Sequence, residues 1–261
     1  MVDGNELFSW RRLGLLIRAD VVNGYRSLLI VSVTLAGIML LSGLLLGRST
    51  APGSSFYLSW FAVILFLWGP VATSRAFREL HSKRSNEAYL LLPASSLEKT
   101  LVRLLFVSVG LVAFVLAFTL LMSYVTETMG SALGRRNSPF EPFAPAVWVL
   151  IAHYVAIQSV YFLGAAWFRK GNFIKTSLAV TAITIGLLMF ALVLARIVFA
   201  PYFGGAISEA VVAVESLYRS HRIAFAAGAV VAKALYFVAL PVVCWVAAWF
   251  RVMETQVSDG V

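Results

Sequence analysis

Three histidines, twelve acidic residues and one cysteine are what this 261-residue chain offers for catalysis or metal binding. Their spacing does not assemble them. His81, His153 and His221 are too scattered for a metal site from one chain, and Cys244 alone makes neither an intramolecular disulfide nor a cysteine-based zinc site. No carboxylate stands at a helical spacing from His153 that would orient it as a base. The phosphate-cradling pattern G-x-x-x-x-G-K-[ST] is absent, and Gly-Lys does not occur even as a dipeptide, so the chain carries no P-loop for ATP. These features describe a non-enzyme. The segment Arg75 to Arg103, RAFRELHSKRSNEAYLLLPASSLEKTLVR, does concentrate recognition chemistry. It joins basic residues to a charge and an amphipathic ring at Glu87 and Tyr89 and an apolar run at Leu90 to Leu92, as a docking surface would.

The elements that position this segment follow from composition. Hydrophobic residues make up 61% of the chain, charged residues only 13%, and the mean hydropathy is +0.88. That composition belongs to an integral membrane protein. A hydrocarbon core of about 30 Å takes roughly 20 apolar residues at about 1.5 Å each. Six stretches qualify: Ser27 to Leu46, Phe56 to Val71 with a polar extension through Ser74, Arg75 and Arg78, Leu104 to Val125, Ala144 to Phe168, Thr176 to Phe199, and Ala226 to Phe250. The expectation is an all-α membrane protein of six transmembrane helices, a single domain over 1–261, with both termini on one side. The first apolar run follows a basic stretch and is a full span long, which reads as a retained helix rather than a cleaved leader.

Basic residues set the orientation. Arg11, Arg12, Arg18, Arg26, Arg75, Arg78, Lys83, Arg84, Lys99, Arg103, Arg169, Lys170, Lys175 and Arg251 fall on one side, against Arg48, Arg135, Arg136, Arg219 and Arg222 on the other. Loops rich in Lys and Arg stay cytoplasmic, so both termini are expected there. The net charge of +9 and pI near 10.0 are then accounted for by topology and anionic lipid headgroups, without nucleic acid.

Within the six spans no Asp or Glu occurs, which disfavours proton- or sodium-coupled transport. Four other polar side chains need partners. His153 and Gln158 share the fourth span, where they serve either interhelical hydrogen bonding or a substrate path. Arg196 and Lys233 lie toward the outer ends of their spans and can snorkel to the headgroups. Gly43 and Gly47 form a G-x-x-x-G, a pattern for close helix approach.

Three further segments have their own character. Residues 1–26 place Trp10, Leu13, Ile17 and Val21 on one arc, as in an interfacial helix that turns into the bilayer before Ser27; the other reading is a plain cytoplasmic extension of the first span. Ser95-Ser96-Leu97-Glu98, directly after Pro93, reads as a capping box that starts the third helix several residues outside the membrane. Residues 200–221 open with Pro201 and Gly204-Gly205 and then put Ile207, Val211, Val214 and Tyr218 on one arc, an amphipathic outer segment that is either interfacial or re-entrant.

This order of parts resembles the permease subunit of the type-2 ATP-binding-cassette transporter family over nearly the whole chain. At residue level the likeness is concentrated in Tyr89, Leu90, Leu92, Pro93, Ala94, Ser95, Glu98 and Lys99, similar to the family's Leu-Pro-x-Ser turn before the third helix. The resemblance implies an exporter half that works with a second copy or a sister permease in the bacterial cytoplasmic membrane. It also implies a separate ATPase subunit, which carries the ATP and Mg and grips the coupling region 75–103; this chain itself would hold no cofactor. The implied ATPase contacts are Glu79, His81, Arg84, Glu87, Tyr89, Leu90 and Leu91. A different reading of the same topology is a nontransporting membrane anchor or regulatory subunit.

Overall fold

The computed structural model describes residues 10–46, 54–78, 95–132, 138–198, 219 and 222–258, and among them all regular structure is helical. Helix α1 runs Trp10–Leu46 and α2 runs Ser54–Ser74. Helix α3 is Ser96–Ala132, α4 is Pro145–Trp167, α5 is Asn172–Val198, and α6 spans 222–258. Five helical segments are long and apolar enough to cross a membrane: Ser54–Ser74, Ser96–Ala132, Pro145–Trp167, Asn172–Leu194 and Ala226–Thr255. The chain is an integral membrane protein built of helices.

The N-terminal part is an extension of the first apolar helix and not a separate interfacial helix. Trp10–Leu46 is one unbroken helix of 37 residues, so no interruption near Ser27 separates an interfacial helix from the first span. No proline lies between Trp10 and Leu46 to break the hydrogen-bond ladder, Gly14 and Gly24 are accommodated within it, and the polar N-terminal half simply extends the apolar half. The apolar part described in α1, Leu28–Gly43, has 16 residues or about 24 Å of helix, shorter than the five segments long enough to cross a membrane. Gly43 is buried, and a methyl added there would stand 3.4 Å from Thr126 Cγ2, so α1 and α3 approach closely at this glycine. Gly47 lies outside the described residues.

A second correction concerns the exit of α2. Its helix ends at Ser74 instead of continuing through Arg78. Residues 75–78 form turns held by Arg75 N–H to the Ala72 carbonyl at 3.1 Å, Ala76 N–H to Thr73 at 3.0 Å, and Arg78 N–H to Arg75 at 3.1 Å. Such bonds to the third preceding carbonyl tighten a helix end. The turn also brings Phe77 inward, where it is buried with its ring 5.0 Å from that of Phe162.

The start of α3 is as the local sequence predicts. Ser95 is extended (φ −68°, ψ 156°), its hydroxyl accepts from Glu98 N–H at 3.1 Å, and Glu98 Oε2 accepts from Ser95 N–H at 3.0 Å. With 37 residues, α3 is about 55 Å long, so it must project beyond a hydrocarbon layer of about 30 Å.

Three π-helical turns occur among the described residues, at Ile64–Trp68 in α2, Phe106–Gly110 in α3 and Leu235–Ala239 in α6. Two have the same cause. Pro70 and Pro241 each stand two residues beyond the turn, lack an N–H and would clash with the carbonyl four residues back in a regular helix. Widening the preceding turn removes that clash without breaking the helix. The turn in α3 has no proline, and its compensation comes from α4, as described below.

Candidate functional site

Helix α4 is the hub. Pro145 at its first position is preorganised for helix, following Ala144 in extended geometry. The helix packs most extensively against α6 and also against α2, α3 and α5. Its buried face carries hydroxyl and amide groups that an apolar surrounding must pair off.

Tyr154 sits at the crossing of α4 with α2 and α3. It is fully buried, and its hydroxyl donates to the Val107 carbonyl inside the α3 π turn at 2.7 Å. Its ring lies directly on Gly69, at the end of the α2 π turn, where a methyl group would come within 3.0 Å of Tyr154 Cζ and 3.2 Å of Cδ2. One residue thus touches both helices that flank the 75–103 region, each at its π turn.

One helical turn along, Gln158 is also fully buried, and its Oε1 accepts from Ser108 Oγ at 3.2 Å. Its Nε2 has no acceptor among the described residues. His153 faces the other way, half-buried against the α6 π turn: Nδ1 is 3.4 Å from Tyr236 Oη, and the Phe237 ring lies edge-on at 5.0 Å. The structure therefore turns His153 and Gln158 toward different helices. Gln158 belongs to the α3 interface and His153 to the α6 interface, because a five-residue separation turns successive side chains by about 500°, well off a common face.

The remaining partners of α4 extend this network. Tyr161 Oη is 2.9 Å from Ser177 Oγ on α5. Gly164 permits the closest approach of α5: an added methyl would meet Thr176 Cβ and Cγ2 at 2.9 Å. Gly171, with φ +66°, turns the chain between α4 and α5, and Asn172 then donates to the carbonyls of both Ser74 and Ala165 at 3.3 Å. Asn172 ties the end of α2 to the end of α4. At the same end, the Arg251 guanidinium covers the Trp167 ring at 5.0 Å and pairs with Glu254 at 2.7 Å.

The interior contacts of α4 are hydrogen bonds and ring contacts, and the His153 imidazole meets two aromatic rings and no carboxylate among the described residues. Of the residues singled out from sequence, Arg196 and Lys233 are exposed. Glu79, His81, Arg84, Glu87, Tyr89, Leu90 and Leu91 lie outside the described residues, as does the segment 200–218. Tyr154, Ser108, Tyr236 and Asn172 were not evident as interhelical contacts from sequence. The two prolines were a usable signal for two of the π turns, but nothing local marks the third.

Comparison with family models, with curated proteins and with solved structures found no match to this chain.

The two buried groups on α4 should respond differently to removal. Tyr154→Phe leaves the Val107 carbonyl without its donor and is expected to cost about 1 kcal/mol. Gln158→Leu also removes a donor that lacks an acceptor, and should change stability by less than about 1 kcal/mol in either direction. Unfolding in mixed detergent micelles checks the order; greater damage from Gln158→Leu would reject this assignment of partners.

Proposed function

We propose that this chain is the permease subunit of an ATP-driven exporter of the type-2 ATP-binding-cassette class. In this reading α1 provides the sixth span and both termini face the cytoplasm of a bacterial cell. A second copy or a sister permease completes the pathway. A separate ATPase subunit docks on the coupling region 75–103, through Glu79, His81, Arg84, Glu87, Tyr89, Leu90 and Leu91.

The observation that supports it is the anchoring of both ends of that region in the packed bundle. On the α2 side Phe77 is buried against Phe162. On the α3 side the capped first turn buries Glu98, Lys99 and Thr100, and this part of α3 packs on α1 and α6. A displacement of the intervening residues is then delivered to α4 and α6 through rigid contacts. A headgroup-bound turn with no mechanical role would not need both flanks built into the core.

The test is isolation of the full chain from its native membrane under mild conditions. A nucleotide-binding subunit is expected in stoichiometric amount, and the chain purified away from it should neither bind nor hydrolyse ATP. ATP turnover by the isolated chain would overturn the proposal. A native complex without a nucleotide-binding subunit would do the same and would favour an anchor or regulatory role.

A further inference from the structure

We infer that the turn between α4 and α5, together with the neighbouring helix ends, forms a binding site for the phosphate headgroup of an anionic phospholipid. The inference needs the chain to be embedded in a membrane and stands whether or not it transports anything. Sequence separates the cations concerned by up to 176 residues, from Arg75 to Arg251. The fold brings together the elements that carry them. Asn172 binds the carbonyls of Ser74 and Ala165, so Arg75 and Arg78 follow one tethered strand of chain while Arg169, Lys170 and Lys175 surround the tether itself. Ala248 and Val252 of α6 pack in the same buried cluster as Ala76, Phe77 and Ala165, which places Arg251 beside them. Arg75, Arg78, Arg169, Lys170 and Lys175 are exposed.

The two carboxylates described at this end do not balance these charges. Glu98 is buried in its helix cap, and Glu254 is paired with Arg251. What selects a lipid over an acidic protein is the depth of the cluster. Trp167, half exposed, lies under the Arg251 guanidinium, and the Phe168 ring lies 5.7 Å from Lys175 Nζ. Aromatic rings next to basic side chains at the ends of membrane helices mark the level of the headgroups. A phosphate at that level has its acyl chains alongside the exposed apolar face of α5, whereas an acidic protein would have to reach down into the interface. The attraction is of the kind that recruits anionic lipid to basic pockets between membrane helices.

The experiment uses the full chain purified in neutral detergent and offered dioleoyl phosphatidylglycerol or dioleoyl phosphatidylcholine, with retained lipid counted by native mass spectrometry. Retention should favour phosphatidylglycerol and should weaken about tenfold or more in the triple variant Arg169→Gln, Lys170→Gln, Lys175→Gln. Arg222→Gln with Lys233→Gln removes two exposed cations from the far part of α6 and should leave retention unchanged. Should the triple variant fail to fold, Arg169→Gln and Lys170→Gln, both in the exposed turn, are read singly for a loss of about threefold each. Equal retention of the two lipids would overturn the site. So would parent-like retention in the variants that fold, an equal loss in the Arg222/Lys233 variant, or displacement of phosphatidylglycerol by millimolar inorganic phosphate. Loss of a soluble partner from the triple variant with lipid retention intact would assign the cluster to a protein instead.

Discussion

Gly69→Ala is expected to be among the most destabilising single-methyl changes in the chain. The added carbon would overlap the ring of Tyr154, which cannot retreat because it is fully buried and its hydroxyl is held by the Val107 carbonyl at 2.7 Å. Overpacking of this kind costs about 1–3 kcal/mol when neighbours can adjust. Here adjustment would also forfeit the hydrogen bond, adding about 1 kcal/mol. Gly186→Ala is the control: nothing lies within 4 Å of the added methyl, and alanine is the better helix former. Measured by unfolding in mixed micelles, the glycine at 69 should be indispensable and the one at 186 dispensable. Tyr154→Leu placed on Gly69→Ala should recover part of the loss by vacating the ring. Equal stability of the two alanine variants would mean that α2 and α4 do not meet at this ring.

On the proposed function, Tyr89→Ala should weaken association with the proposed ATPase subunit about thirtyfold while leaving expression and helix packing nearly unchanged. A tyrosine filling a partner's pocket typically contributes about 2 kcal/mol or more when truncated, and that energy corresponds to the stated factor. ATP turnover stimulated by the complex and export should fall together. Lys83→Ala, by comparison, removes one charge from a basic surface and should cost at most about 1 kcal/mol. Co-purification at graded subunit concentrations reads the first effect, and transport in reconstituted vesicles the second. If Tyr89→Ala assembles and transports like the parent, or Lys83→Ala proves the more damaging, the 75–103 region is not the coupling element.

The two predictions rest on different kinds of legibility. Tyr89 stands out in a local pattern, an aromatic ring and an apolar run just before a proline and a helix cap. Tyr154 was invisible at that level, being one aromatic among many in a span where apolar and aromatic residues surround it on every side. His153 and Gln158 stood out in the same span because a bilayer tolerates few such groups. Yet their partners could not be read, since a helix that is apolar all round offers no stripe to say how it is rotated. Only packing showed that Gln158 meets Ser108 and His153 meets Tyr236.

Sequence by itself determined the membrane class, the approximate extent of five spanning helices and the start of α3 at Ser95, because each depends on interactions within about 20 residues: desolvation of a continuous run, or a cap closed over three residues. Tertiary structure alone decided that Phe77 turns inward after α2 stops at Ser74 and that α4 is gripped at the π turns of its neighbours. The reason is the solvent. In hydrocarbon, apolar faces gain little by choosing one neighbour over another, so the arrangement is settled by a few hydrogen bonds and close glycine contacts between residues far apart in the chain.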